Sequence, residues 1–204
     1  MFWNRIAAVY DFFEEAYNKK VYLNTGKTVA KFIEKTDDVL ECACGTGAIS
    51  VWIAAVCQQL VATDTATNML KRAAKKCSGF QNVRFEEADL TNLPYADNRF
   101  DKVVAGNVIH LLEDPKHAVT ELARVTKPGG QIILPTYINK TRSSNVFVTR
   151  VLELFGADFK RQFDWNSYKE FFQTLGYENA VFRVVDGRMP CAIAILRKES
   201  RLGG

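Results

Sequence analysis

Long hydrophobic runs are missing from this chain of 204 residues. No stretch reaches the roughly 18 consecutive apolar residues that a transmembrane helix needs. The first residues, Met1 to Arg5, lack the apolar core of a secretion signal. The sequence therefore predicts a cytoplasmic protein without a transmembrane segment, and its aromatic N-terminus leaves peripheral contact with a membrane open.

Histidine is scarce, and the cysteines have no paired spacing. The chain has two histidines and five cysteines, and Cys42 and Cys44 stand too close together for a zinc hairpin. An odd number of cysteines without paired spacing argues against a disulfide framework. We therefore expect no metal site, and reduced thiols in a cytosolic protein.

A strong excess of one charge is also missing. The 27 basic and 23 acidic residues leave a net charge of +4. The pairs Lys71-Arg72 and Lys75-Lys76 have the helical spacing of a solvated face, and the sequence has no concentrated basic stretch for a nucleic acid. We expect a small-molecule partner, and the sequence leaves the oligomeric state open.

The most informative segment is a turn at residues 41–47, of sequence Glu-Cys-Ala-Cys-Gly-Thr-Gly. An apolar strand-like stretch precedes it and a helix-like run follows it, which is the usual grip on an adenosine-containing cofactor. A pyrophosphate would not gain from the carboxylate of Glu41. S-adenosylmethionine has no phosphate and carries a cationic ammonium and a cationic sulfonium, so Glu41 favours this methyl donor over a dinucleotide.

Strand-like and helix-like segments alternate after residue 36. Strands are predicted at 39–42, 60–63, 83–86, 102–105, 131–134, 181–185 and 192–196, and helices at 46–56, 67–76, 115–125, 143–155 and 166–175. A hairpin signal at 187–190 makes the last strand antiparallel. We expect an α/β fold, a doubly wound (Rossmann-like), mostly parallel seven-stranded sheet with an antiparallel last strand and helices on both faces.

The same pattern predicts a single domain over residues 1–204. Its expected parts are an N-terminal helical lid (1–35), a cofactor-binding core (36–137), a helical substrate-cap insertion (138–178) and a C-terminal hairpin (179–197). Four polar residues, Glu41, Asp64, Asp89 and Asn107, fall at or just after predicted strand ends. Ligands of such sheets bind beyond these ends, so the four should line one rim.

Several segments together resemble the class I S-adenosylmethionine-dependent methyltransferases, above all the small-molecule group that includes the ubiquinone/menaquinone-biosynthesis enzymes. The resemblance runs from about residue 1 to 137, on Asn4–Asp11, Val39–Gly47, Asp64, Asn68–Leu70, Ala88–Leu90, Phe100–Val103 and Lys127–Gly130. Ala43 departs from it, because the family usually has glycine there and alanine tolerates fewer backbone angles. We therefore expect a slightly remodelled turn.

The residues and the resemblance together give a set of expected contacts with S-adenosylmethionine, whose product is S-adenosylhomocysteine. The expected contacts are Tyr10, Glu41, Ala43, Gly45, Thr46, Gly47, Asp64, Thr65, Met69, Ala88, Asp89, Leu90, Asn107 and Val108. Glu41 should favour the ammonium, Asp64 the ribose hydroxyls and Asp89 the adenine amino group. Plainer interpretations stay open: Asp64 as a helix cap, Met69 as core, and Tyr10 as lid packing.

His110 is the histidine nearest to the predicted rim and is a candidate general base, because an unperturbed imidazole titrates near neutral pH. A packed histidine beneath a lid is the alternative. The expected activity is methyl transfer to a small organic acceptor, with aromatic residues between 147 and 172 suggesting an apolar, aromatic or lipid-like one. Two other functions remain open: a non-catalytic S-adenosylmethionine-binding regulator, and an NAD-dependent oxidoreductase.

Overall fold

The computed structural model describes residues 18–139 and 160–199, which form a single seven-stranded sheet with helices packed against it. The elements in chain order are α1 (Lys19–Ala30), β1 (Asp38–Cys42), α2 (Ser50–Ala54), β2 (Gln59–Asp64), α3 (Thr67–Lys76), β3 (Val83–Glu87), β4 (Phe100–Ala105), a 3-10 turn (Ile109–Leu111), α4 (Pro115–Val125), β5 (Thr126–Tyr137), α5 (Trp165–Gln173), β6 (Val181–Val185) and β7 (Cys191–Arg197).

The strand order is β3-β2-β1-β4-β5-β7-β6. The first five strands pair in parallel, and β7 runs antiparallel to both of its neighbours. The chain winds outward from β1 to β3 and then returns to place β4 on the other side of β1. This reversal leaves a crevice beyond the carboxyl ends of β1 and β4, which is where such sheets bind ligands.

Helices cover both faces of this sheet, as the alternating pattern predicts. Residues of α1, α2 and α3 pack in one apolar layer, and residues of α4 and α5 pack in the other. The central strands are apolar along most of their length because both of their faces are buried. The predicted fold class is thus confirmed.

Local sequence signals account for the sharpest helix boundaries. Pro115 opens α4, and the Asp114 carboxylate accepts the backbone N–H of His117. Asp164 and Ser167 form a reciprocal capping box at the start of α5. The helices predicted at 67–76 and 115–125 match α3 and α4, and the strand predicted at 181–185 matches β6.

Other boundaries differ for identifiable reasons. The helix predicted at 46–56 begins only at Ser50, because Gly47 has a positive φ of 82° and cannot belong to a right-handed helix. The strand predicted at 131–134 is longer, Thr126–Tyr137, because Gly129 and Gly130 exchange backbone hydrogen bonds with Lys198. The predicted helix at 143–155 lies outside the described residues, as do residues 1–17 of the expected lid and residues 140–159 of the expected cap.

Across the described ranges, no helix combines the length and the apolar character that crossing a bilayer requires. The same residues hold no group of three or more histidine, cysteine, aspartate or glutamate side chains arranged to bind a metal ion.

Close packing of α1 on α2 depends on Gly26. A Cβ at this position would lie 2.1 Å from Cδ1 of Trp52, whose ring is also covered by the Lys27 ammonium at 5.2 Å. Overpacking of this kind costs about 1–3 kcal/mol, whereas replacing a helical glycine by alanine returns about 1 kcal/mol. We expect Gly26→Ala to lower the free energy of unfolding in urea denaturation.

Gly79→Ala is the matched control, because an added Cβ there meets no heavy atom of the described chain within 4 Å. It should leave the unfolding midpoint nearly unchanged. A Gly26→Ala protein as stable as the parent would contradict the steric account.

Candidate active site

A cavity of about 360 Å³ lies at the crevice beyond β1 and β4. Most of the predicted cofactor contacts line it. They are Glu41, Ala43, Gly45, Thr46, Asp64, Thr65, Met69, Ala88, Asp89, Leu90, Asn107 and Val108. Tyr10 lies outside the described residues, and Gly47 lies outside the lining. The topology thus brings together residues that are 67 positions apart in sequence.

Glu41 is the most unusual side chain of the cavity. It is only 2% exposed, and its Oε2 accepts no hydrogen bond from any described residue. Burial raises the pKa of this carboxyl from 4.5 to about 8; the Ser50 hydroxyl opposes this rise in part, and the nearby Asp64 charge adds to it. A buried carboxylate oxygen without a donor is unfavourable in its charged form, so the site favours a cationic hydrogen-bond donor.

The loop after β1 bends through the left-handed region of backbone space. Ala43 has φ 52° and Gly45 has φ 54°. A Cβ added at Gly45 would meet no heavy atom of the described residues within 4 Å, so the backbone there faces open space and a ligand can approach it closely. Ala43 adopts the same left-handed conformation at a cost of about 1–2 kcal/mol, which glycine would not incur.

Gly47 packs against α3, and its contact with the cofactor stays a prediction. A Cβ at this position would lie 2.9 Å from the Cα of Ala73 in α3. Gly47 therefore lets the loop pack directly on α3, and it contributes to the cavity by holding the loop in place.

Asp64 at the end of β2 ties the loop to the neighbouring strand. Its Oδ2 accepts the backbone N–H of Gly45 at 2.9 Å, and its Oδ1 accepts the N–H of Ala66 at 2.8 Å. Ala66, and not Asp64, is the N-terminal cap of α3, and α3 has no side-chain capping bond; Asp64 lies in the cavity lining and accepts the N–H of the cap residue itself. Each carboxylate oxygen has a second lone pair that can accept from a ligand.

The far side of the cavity is apolar with one exposed acid. Met69 and Leu90 are buried at 3% and 6% exposure, and both line the cavity. Asp89 is exposed, and its Oδ1 accepts from the N–H and the hydroxyl of Thr91 at 2.8 and 2.7 Å. These bonds fix the orientation of the Asp89 carboxylate.

Asn107 locks the loop after β4 against β5. It has φ 52°, its N–H donates to the carbonyl of Pro135 at 2.8 Å, and its Oδ1 accepts the N–H of Tyr137 at 3.1 Å. Asparagine tolerates this left-handed conformation better than most residues. Asn107 and Val108 are therefore held rigidly beside the cavity.

His110 lies in the 3-10 turn that follows, beside the cavity but outside its lining. Burial lowers the pKa of the imidazole to about 4. Such a ring is neutral at physiological pH but a weak base. The geometry therefore favours the packed-histidine interpretation over the general-base hypothesis.

Sequence reasoning missed several lining residues. They are Tyr22, Thr25, Cys44, Ala48, Ile49, Gly106, Leu111, Leu112 and Tyr137. Tyr22 and Thr25 are three apart, a spacing that puts them on one face of α1, but nothing in the sequence shows which face meets the crevice. Leu111 and Leu112 follow closely on the predicted Val108 contact and could have been included.

The comparisons with known proteins agree with this geometry. The methyltransferase domain family matches residues 40–134. A demethylmenaquinone methyltransferase of Clavibacter sepedonicus is 30% identical over 139 residues, which are 64% of this chain and 57% of that protein. A ubiquinone/menaquinone biosynthesis C-methyltransferase of Bdellovibrio bacteriovorus is 33% identical over 138 residues, 65% of this chain and 58% of that protein. The chain thus spans less than two thirds of these curated relatives.

A solved structure shows the same fold over nearly the whole chain. A S-adenosylmethionine-dependent methyltransferase of Thermotoga maritima superimposes with a TM-score of 0.77 at 17% identity, covering 97% of this chain and 99% of that one. The resemblance inferred from the sequence is confirmed. Residues 40–134 match the methyltransferase domain family, and the chain shares the fold of the solved methyltransferase of Thermotoga maritima.

Proposed function

We propose that this chain binds S-adenosylmethionine in the cavity and transfers its methyl group to a small organic acceptor, releasing S-adenosylhomocysteine. Glu41 is the observation that carries the proposal. Its buried carboxylate has an oxygen without a hydrogen-bond donor among the described residues, and it lines a cavity that is large enough for a ligand. The ammonium of S-adenosylmethionine is a cationic donor of the kind that this oxygen needs.

The rest of the lining fits the other parts of this cofactor. The open face of Gly45 admits a ligand close to the backbone. Asp64 presents carboxylate oxygens that can accept from ribose hydroxyls, while Asp89 can accept from the adenine amino group. Met69 and Leu90 provide apolar surface for the adenine faces.

The same residues disfavour an NAD-dependent oxidoreductase. A pyrophosphate would bring two negative charges to a loop that already carries Glu41 at its lip and Asp64 beneath it. An ionised carboxylate repels a pyrophosphate, and a protonated Glu41 offers it no favourable charge. The dinucleotide alternative therefore lacks the electrostatic support that the sulfonium ligand has.

The chemistry asks little of the side chains. When bound, the cofactor supplies a methyl group on a positively charged sulfur, which is already an activated leaving group. The protein must hold the acceptor atom in line with that methyl, and such orientation corresponds to effective molarities of about 10⁵ M or more. Asn107 and Val108, rigidly held at the end of β4, are our candidates for defining this approach.

We infer an apolar, ring-containing acceptor. Leu111, Leu112 and Tyr137 line the cavity near Val108 and offer apolar and aromatic surface. By their names, one of the relatives above acts on demethylmenaquinone and the other acts in ubiquinone and menaquinone biosynthesis. A quinol would suit an apolar and aromatic cavity wall of this kind. We place the protein in the cytoplasm, with peripheral access to a membrane.

Burial raises the pKa of the Cys42 and Cys44 thiols, which keeps both thiols protonated and unreactive.

A screen with isotope-labelled S-adenosylmethionine tests the proposed activity. Candidate acceptors are quinols, phenols, amines, thiols and lipids, each incubated with the full chain. We expect label transfer to a quinol or phenol and no transfer from heat-inactivated protein. Tight cofactor binding without transfer to any acceptor class would support a regulator instead of an enzyme.

Glu41→Gln should separate binding from stability. Folding raises the pKa of Glu41 from 4.5 to about 8, so its favourable contribution is fully present below pH 4.5 and is lost as the pH rises through 8. Glutamine imitates the protonated acid at every pH. We expect the ligand-free variant to exceed the parent in stability at pH 9 by a few kcal/mol, at about 1.4 kcal/mol per pKa unit, and to equal it at pH 4.

Thermal unfolding at both pH values measures this difference. The same variant should bind S-adenosylmethionine at least about tenfold more weakly in calorimetry, since it loses a charge-assisted hydrogen bond. Glu113→Gln is the control, because its side chain is 87% exposed. Unchanged cofactor affinity in Glu41→Gln would remove the observation on which the proposal rests.

Asp64→Ala should weaken binding of S-adenosylmethionine strongly, because it removes the proposed ribose contact and both backbone bonds that hold the loop. Isothermal titration calorimetry measures the effect, and circular dichroism checks the fold. Asp186→Ala, at an exposed position outside the cavity, serves as control. Affinity equal to that of the parent would exclude Asp64 from the site.

A further inference from the structure

Charge is distributed unevenly between the two helical layers. Residues 18–33 and 42–85 contain α1, α2 and α3, and Asp64 is the single acidic residue of these two ranges. Lysine or arginine occupies four positions of the first range and five of the second. In the other layer, α4 carries Glu121 and α5 carries Glu170. The layer that contains α1, α2 and α3 is therefore cationic.

The lysines of α1 form one stripe on its outer side. Lys20, Lys27 and Lys31 recur at positions i, i+7 and i+11, which places them within about 40° of one another around the helix axis. All three are exposed. Val21 and Val29 lie on the opposite side of α1 and are buried in the apolar layer against the sheet. The stripe therefore points away from the sheet.

Helix α3 adds a second stripe beside the first. Lys71 and Lys75 are one turn apart and exposed, while Ala73 between them is buried. The Lys76 ammonium at the end of α3 donates to the Tyr22 hydroxyl of α1 at 2.8 Å, so the two helices are in direct contact. We call Lys20, Lys27, Lys31, Lys71 and Lys75 the cationic face.

The charge of this face is not neutralised by neighbouring acids. Among residues 18–139 and 160–199, no carboxylate forms an ion pair with any of its five lysines. Asp64 lies in the cavity lining instead. A surface with several exposed lysines and no exposed carboxylate attracts an anionic surface.

Two features favour a bilayer with anionic headgroups as that surface. The Trp52 ring of α2 lies 5.2 Å from the Lys27 ammonium, and tryptophan is enriched at the level of lipid headgroups. The same two helices also line the cavity, through Thr25 of α1 and Met69 of α3. An apolar acceptor partitions into a bilayer, so a lipid surface would bring it to this wall. A nucleic acid would not explain the second feature.

We propose that the cationic face docks the protein on a bilayer that contains anionic lipids. The benefit of placing this face on the helices of the cavity wall rests on the proposed function, whereas the electrostatic attraction does not. Docking holds α1 and α3 at the headgroups, so an acceptor dissolved in the bilayer has a short path to the cavity.

The start of the face is anchored before any contact with a membrane. Asn18 Nδ2 donates to the carbonyl of Met189 at 2.9 Å and fixes the start of α1 on the β6–β7 hairpin. Val21 packs where a Cβ at Gly187 would lie, 2.1 Å from its Cγ2. These contacts hold the lysine stripe of α1 in one orientation, so docking requires no rearrangement of the helix.

Co-sedimentation with lipid vesicles tests the proposal on the full chain without cofactor. Vesicles of phosphatidylcholine and phosphatidylglycerol in equal parts should bind the protein, and phosphatidylcholine alone should not. Each lysine at an anionic surface strengthens binding about fivefold, so Lys20→Gln/Lys31→Gln and Lys71→Gln/Lys75→Gln should each weaken it at least about tenfold. Added salt should weaken the binding of the parent, because it screens the charges.

Lys116→Gln/Lys169→Gln is the matched control. It removes the same charge from α4 and α5, in the other layer, and should change vesicle binding by less than about twofold. Circular dichroism checks the fold of all three double variants. The control separates the position of the lysines from the net charge of the protein.

The outcomes are distinct. Equal binding to both kinds of vesicle, or an equal loss in the control, overturns the proposal. Tighter binding to an RNA or DNA duplex than to anionic vesicles, lost in the same two test variants, also overturns it and makes a nucleic acid the partner. A parent protein that binds anionic vesicles but no S-adenosylmethionine refutes the proposed function alone.

Discussion

The burial of one carboxylate, Glu41, sets the character of the whole site. Parallel pairing of β1 with β2 and β4 buries its backbone and brings its side chain to the crevice where the strand order reverses. Removal from water raises its pKa, and the described protein leaves one of its oxygens unsatisfied. The fold tolerates this group in its neutral form, and a cationic ligand makes the charged form favourable.

The other residues of the site hold the loops around the buried Glu41 carboxylate in place. Asp64 and Gly47 shape the loop, one through two backbone hydrogen bonds and the other by leaving space for Ala73. Asn107 fixes the opposite lip on β5. The cavity therefore has a rigid floor made by strand ends, with polar groups placed by backbone contacts more than by contacts between side chains. Such preorganisation suits a reaction in which orientation supplies much of the acceleration.

Much of this could be predicted from the sequence because it is encoded locally. The acid and glycines of residues 41–47 and the proline that opens α4 specify strand ends, turns and caps within a few residues. The surroundings of His110 and Gly47 could not be predicted for a different reason: burial beside the cavity and contact with Ala73 are properties of tertiary packing. Tyr22 and Thr25 were missed because the orientation of α1 depends on a hairpin far along the chain. No local pattern carries that information.

Anchoring of α1 by that hairpin also has a consequence for synthesis. The hydrogen bond from Asn18 to Met189 joins residues 171 positions apart. A nascent chain can pack α1 against α2 early, but the contacts that fix the start of α1 form only after the β6–β7 hairpin has been synthesised. A ligand that needs the full α1 wall therefore depends on residues 181–197, so removal of the β6–β7 hairpin would impair a cavity wall that contains none of its residues.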